Sequence, residues 1–127
     1  MAFINDLVDV MTGDASINAL ITGGIRYGFL PIGFDNTKEW LEFSHTLQSE
    51  DKTLDCFESS LYNIETQISS PSEDKLLAIW NLLKPYLTSY DDGSKIRYIN
   101  IEDENKDYDP LKQMHFITAN YTVLYIG

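Results

Sequence analysis

The chain predicts an α+β fold: a mainly antiparallel sheet of four to five strands, with one or two N-terminal helices and one long amphipathic helix packed on it. Three observations carry this expectation. Tyr62, Ile64, Thr66 and Ile68 alternate like one face of a strand, then lead through Ser69-Ser70-Pro71 into a helix whose Leu76, Ile79, Trp80, Leu83 and Leu87 make one apolar stripe. Met114 to Ile126 alternates along its whole length, with Ile117, Ala119, Tyr121, Val123 and Tyr125 on one face. The order of segments is helices, three strands, a helix and two strands, which favours a mainly antiparallel sheet with helices packed on one face.

Each element has a local cause. In residues 2 to 12, Phe3, Leu7, Val10 and Met11 share a helical face, and Gly13 is the expected stop. Asp14 is a good N-cap for a short helix over Ala15 to Ile21, with Ile17, Leu20 and Ile21 inward and Gly23-Gly24 ending it. Ile25 to Phe29 reads as a short strand closed by Leu30-Pro31, and a polar, turn-rich loop follows to Lys38. Trp40 to Leu47 alternates, with Leu41, Phe43 and Leu47 on one face and Glu42, Ser44 and Thr46 on the other. Gln48 to Thr53 reads as a polar break. Phe57 and Leu61 fall out of phase with Tyr62, Ile64 and Ile68, so a bulge or late start is expected near Ser60. Ser70, Pro71 and Glu73 fit N-cap, N1 and N3 of the long helix, and Pro85 marks its expected end. Asp91-Asp92-Gly93 signals a turn into a strand from Lys95 to Ile101, with Arg97, Ile99 and Ile101 on one face and Ile96 and Tyr98 on the other. Phe116, Leu124 and Ile126 lie on the second face of the last strand, so that face is expected to be partly covered by a helix or a neighbouring subunit.

Composition bounds the rest. At 127 residues and 43% hydrophobic, the chain reads as one domain, 1-127, with a real core and no linker, repeat or low-complexity tract. No run of about 18 apolar residues is present to span a bilayer. The acidic start, Met1-Ala-Phe-Ile-Asn-Asp6, lacks a signal-peptide pattern and points to a cytoplasmic product. The one cysteine, Cys56, cannot form an internal disulfide, and neither His45 nor His115 stands at a metal-ligand spacing from it. Twenty acidic against nine basic residues give a net charge of -11, which disfavours phosphate-seeking partners. Solubility accounts for such a charge as readily as a specific electrostatic role does.

Two segments stand out as contact candidates. Glu102, Asp103, Glu104, Asp107, Tyr108 and Asp109 lie in the densest acidic run, and Asp103, Asn105 and Asp107 have the spacing that opens a calcium loop. The match then fails, because Tyr108 replaces the required Gly and Met114 the bidentate Glu, so a solvated hairpin loop is expected. The other segment sets Phe34 among Asp35, Asn36 and Lys38. It reads either as a docking loop or as a loop whose Phe34 folds back on the core. There is no nucleophile elbow, P-loop or dinucleotide fingerprint; Asp55 and Glu58 beside Cys56 would suppress its thiolate. No enzyme activity, metal or cofactor is therefore expected. Tyr121 and Tyr125, on one strand face without basic flanks, read as packing groups.

This succession resembles the tail terminator or tail-completion proteins of long-tailed bacteriophages. The residues that carry the resemblance are the Asp14-Ala-Ser-Ile-Asn-Ala-Leu-Ile21 segment, Gly23-Gly24-Ile25-Arg26-Tyr27 with Leu30-Pro31 after it, the Leu41 to Leu47 strand, the strand into Ser69-Ser70, the Glu73 to Leu87 helix and the closing Tyr121-Thr-Val-Leu-Tyr-Ile126. The resemblance implies a non-enzymatic virion protein that caps the tail tube at the head-proximal end. Such a subunit is expected to assemble in the host cytoplasm as a homo-oligomer, a hexameric ring, and to meet a tail-tube protein and a neck or head-completion protein, without a membrane. Closed head-to-tail contacts would build the ring, and an acidic lumen would let genomic DNA pass without specific binding. Alternatives from the same residues are another neck or tail-tube component, or an acidic binding module that mimics nucleic-acid charge.

Overall fold

A computed structural model describes residues 2–28, 33–52, 58–91 and 95–126. Three helices, α1 (Ala2–Met11), α2 (Ala15–Leu20) and α3 (Glu73–Thr88), accompany strands β1 (Gly24–Tyr27), β2 (Trp40–Lys52), β3 (Glu58–Ser70), β4 (Ile96–Asp109) and β5 (Met114–Ile126). The sheet order is β1-β2-β3-β5-β4. Three of the four pairings are antiparallel; β1 runs parallel to β2, with Gly24 opposite Trp40 and Tyr27 opposite Phe43. The fold is thus α+β, with the mainly antiparallel five-stranded sheet the sequence predicts and one parallel pairing at its β1 edge. β3 and β4 point the same way, so α3 serves as their crossover and β5 fills the gap between them.

The core lies between one sheet face and the helices. Phe3, Leu7, Val10 and Met11 of α1, Ile17 and Ile21 of the α2 region, and Leu76, Ile79, Trp80, Leu83 and Leu87 of α3 are buried against Leu41, Phe43, Ile64, Ile68, Ile117, Ala119, Tyr121 and Val123. The tyrosine hydroxyl of Tyr121, 1% exposed, lies 2.8 Å from Thr66 Oγ1, so the polar tip has its partner inside the core. Burial drives the Tyr121 phenol above its ordinary pKa, the Thr66 hydrogen bond only partly opposing it. Tyr86 Oη donates to the Val10 carbonyl at 2.7 Å and joins α3 to α1.

Several local expectations are corrected. Asp14 does cap α2, its Oδ1 accepting from Ser16 and Ile17 N–H at 2.9 and 3.1 Å, but Leu20 is 36% exposed and only Ile17 and Ile21 point inward. The N-cap of α3 is Ser72, not Ser70; its Oγ accepts from Lys75 N–H, while Ser70 is buried as the last residue of β3 and its Oγ accepts from Ser72 N–H. Pro85 sits inside α3 and does not end it. Its missing N–H would have bonded the carbonyl of Asn81, an exposed residue that water can serve. Strand β2 runs on through the polar segment to Lys52, and the register shift lies in β2, between Leu47 and Ser49, not near Ser60 of β3. Leu47, expected inward, is 48% exposed. In β4 a shift between Ile96 and Tyr98 puts both Ile96 and Ile99 in the core, so the expected alternation of Arg97 with Ile99 is broken. Phe29 to Pro31, Cys56, Phe57 and Asp92-Gly93 fall outside the described residues.

Candidate assembly surface

The last strand decides where the open surface is. β5 alternates as expected, with residues 117, 119, 121, 123 and 125 buried and their neighbours half-buried. The second face is not covered by α1, α2 or α3, which all pack on the first. Cross-strand register then lays out its rows: Arg26, Glu42, Gln67, Thr118 and Asn105; Ser44, Glu65, Asn120 and Asp103; Thr46, Asn63, Thr122 and Asn100. Hydroxyl and amide groups fill the middle, and carboxylates outnumber the one cation of these rows. Leu61 and Leu124 flank the grid at one end, Phe116 at the other, all half-buried.

The acidic run, expected as a hairpin loop, is an edge strand. Glu102 to Asp109 belong to β4, and the turn proper is 110–113. The apolar period ends at Ile101, because a register shift there moves β4 from apolar to charged residues on the helix-facing side. Glu104 meets Lys84 of α3 at 3.0 Å, and Lys106 pairs with Glu73 at the start of the same helix. The Lys106 hydrogen bond holds the Glu73 carboxyl below its usual pKa. All four side chains are roughly half exposed, so these pairs set the position of the edge more than they stabilise it. On the other face Glu102 Oε1 accepts from Thr122 Oγ1 at 2.8 Å and Asn100 Nδ2 at 3.2 Å. Asp103 and Asp107 are exposed, and Tyr108 lies against His115 with ring centroids 4.6 Å apart. Asp109 Oδ1 accepts from the N–H groups of Leu111 and Lys112 and so shapes the turn. Charged edge strands of this kind resist indiscriminate strand pairing.

The loop before β2 folds back. Phe34 packs edge-on against Trp40, with centroids 6.1 Å apart, and Trp40 Nε1 donates to the Asp35 carbonyl at 2.8 Å. Asp35 Oδ1 accepts from both N–H and hydroxyl of Thr37, which lowers the Asp35 pKa. Lys38 is exposed. Asn36 Nδ2 donates to the Lys112 carbonyl at 3.2 Å, so this loop and the β4–β5 turn meet. Phe34, Asp35 and Lys38 are thereby brought to the Asp109 end of the acidic edge, and Met114 is buried there, outside the main core cluster.

Two features escaped the sequence reading. An aromatic group on the helix side joins Tyr27, His45, Tyr62 and Tyr125 from four strands under Phe3 of α1, which stacks on Tyr62 at 3.8 Å and 5°. His45 Nδ1 is 2.6 Å from Tyr27 Oη, and burial lowers its pKa. Leu111, at the tip of the turn, is 95% exposed. Each of the four strands supplies one ring, so no spacing within a single segment marks the first; nothing in a polar turn marks the second. Among the described residues no three His, Cys, Asp or Glu groups are arranged to hold a metal ion, and no helix is long and apolar enough to cross a membrane.

No protein-family model and no curated protein matches this chain. A solved structure does. The chain is similar to one in the virion of a native gene transfer agent particle, with 12% identity, a TM-score of 0.64, and coverage of 94% of this chain and 91% of that one. At that identity the likeness is one of fold, and it spans nearly the whole of both chains.

Proposed function

We propose that this protein is a virion structural subunit, a tail terminator or tail-completion protein that caps the tail tube and joins it to the head-neck complex as a ring. The observation that carries the reading is the near-complete fold likeness to a chain of a virion particle. The sheet face that α1, α2 and α3 leave uncovered and the charged edge strand fit it: both are surfaces that a small α+β subunit leaves for other copies or partners. The ring is hexameric, meets the tail-tube protein on one side and the neck on the other, and passes genomic DNA through a lumen whose carboxylates repel phosphate. It needs no catalytic group or cofactor. Glu102, Asp103, Glu104, Asp107, Tyr108 and Asp109, with Phe34, Asp35 and Lys38, form the contact or lumen-facing region.

Native mass spectrometry with electron microscopy of the purified protein, alone and with tail tubes, tests this. A sixfold ring that binds tube ends is expected, and particles lacking the protein should carry tails of uncontrolled length. A protein that stays monomeric at every concentration and ignores tube ends would refute the reading. The exposed carboxylates of β4 favour one second reading, an acidic module that occupies a basic groove; it would show as one-to-one binding to a basic partner, weakened by salt.

A further inference from the structure

We propose that residues 102–113, the distal half of β4 with the turn after it, form a strap that lifts off β5 as one unit while the rest of the sheet stays paired. The two halves of β4 are held differently. Ile96 and Ile99 are 1% and 4% exposed, and Ile101 packs against the same core, so opening the first half would strip apolar surface from the domain. The second half buries nothing of the kind: residues 102–108 are exposed, Asp109 is half-buried, and the Tyr108 ring is 45% exposed. What crosses to α3 is charge. Lys84 Nζ meets Glu104 at 3.0 Å and Lys106 meets Glu73, with all four side chains 43–48% exposed, where water and salt screen such pairs.

Both ends of the segment are made to hinge. At one end the register with β5 shifts between Ile101 and Asp103, which breaks the ladder and separates the bonds beyond it from those before. At the other, Gln113 takes a φ of 56°, in the left-handed region that a residue with a Cβ occupies at a cost, and Met114 beside it is 1% exposed and anchors β5. Opening releases that backbone. Against it stand the ladder from the Asp103–Asn120 pair to the Asp109–Met114 pair, the Tyr108 ring on His115, and the Asn36 side chain on the Lys112 carbonyl at 3.2 Å. Such exposed, local contacts open ahead of global unfolding. Closed, the strap ends the sheet in carboxylates that turn other strands away; open, it leaves the N–H and C=O groups of residues 115–120 that faced β4 without partners. The strap therefore decides which edge the sheet offers, whether or not the subunit closes into a ring.

Native-state hydrogen exchange of the full chain at low urea, read by mass spectrometry at single-residue resolution, tests the strap. Amides that bond residues 103–109 to residues 114–120 should share one opening constant and one shallow urea slope, with the constant about 100-fold above that of the amides around Ile99 and Val123. Lys84→Gln with Lys106→Gln should raise the distal constant by about fivefold and leave the proximal one unchanged. Gln113→Gly, which removes the left-handed cost of the closed turn, should lower the distal constant by about threefold. Circular dichroism of both variants should match the wild type. Distal and proximal amides that exchange together, or variants that move both sets alike, would overturn the strap. Distal amides that each open at their own rate would overturn it as well, because that is fraying and not the lifting of a unit.

Discussion

Replacing Phe3 by Ala tests whether the first helix is a fixed part of the domain. The ring is 2% exposed, stacks on Tyr62 at 3.8 Å, and meets Tyr125 and His45 edge-on at 4.9 and 5.3 Å. Truncating a buried Phe to Ala costs about 3–5 kcal/mol. The lower end applies here, about 3 kcal/mol, because α1 is only ten residues long and can settle into the space the ring leaves. Leu7, Val10 and Met11 remain to hold it. At this chain length that loss lowers Tm by about 10 °C. Phe3→Leu separates packing from ring geometry, since it forfeits mainly the aromatic contacts, about 1 kcal/mol. Urea unfolding followed by circular dichroism, at one fixed protein concentration so that assembly does not shift the balance, gives both values. A loss below about 1 kcal/mol for Phe3→Ala would refute the reasoning, because it would mean that α1 does not press on the Tyr62 and Tyr125 rings.

Three further outcomes are expected. Tyr121→Phe should cost about 1–2 kcal/mol, since Thr66 Oγ1 is left with only the Ala119 carbonyl at 3.5 Å, and adding Thr66→Val should recover much of that loss; two independent, additive costs would argue against the pair. Asp14→Ala should cost about 1 kcal/mol of stability and Asp14→Asn far less, read from the same unfolding curves; equal losses would point to charge instead of the cap. For His45, burial depresses the folded pKa, so the unfolded chain takes up the proton first as pH falls. Its contribution is complete above about pH 6.5 and is lost as pH falls below that towards the depressed value, so the stability difference between wild type and His45→Gln should shrink from pH 8 to 5.5. A difference that grows with acid would show instead that the surrounding rings of Phe3, Tyr27 and Tyr62 favour the imidazolium.

The sheet face given to the core was legible along β3 and β5, less so in β2 and β4, where register shifts intervene. Alternation placed Ile64, Thr66 and Ile68 on it, as it did Ile117 to Tyr125, because period-two spacing has one geometric meaning once a strand is buried on one side. The stripe of α3 was equally plain, and Asp14 declared its helix start. These signals are local and can be read without the partner elements: the inward residues of β3, β5 and α3, and the segregation of helices and strands into two layers.

What lies at the edges emerges from long-range pairing. The acidic half of β4 has no apolar period to read, since its helix-facing side is satisfied by Lys84 and Glu73, partners 20 and 33 residues away in sequence. β1 lies parallel to β2, a pairing that neither segment announces alone, and the role of Phe34 depends on where Trp40 comes to rest. Register shifts in β2 and β4 arise from matching two strands, so neither strand alone announces them. The face free of α1, α2 and α3, the charged edge and the exposed Leu111 are likewise products of pairing order: periodicity tells which side of a strand is wet, but only the assembled sheet tells which strand is last and what stands beside it.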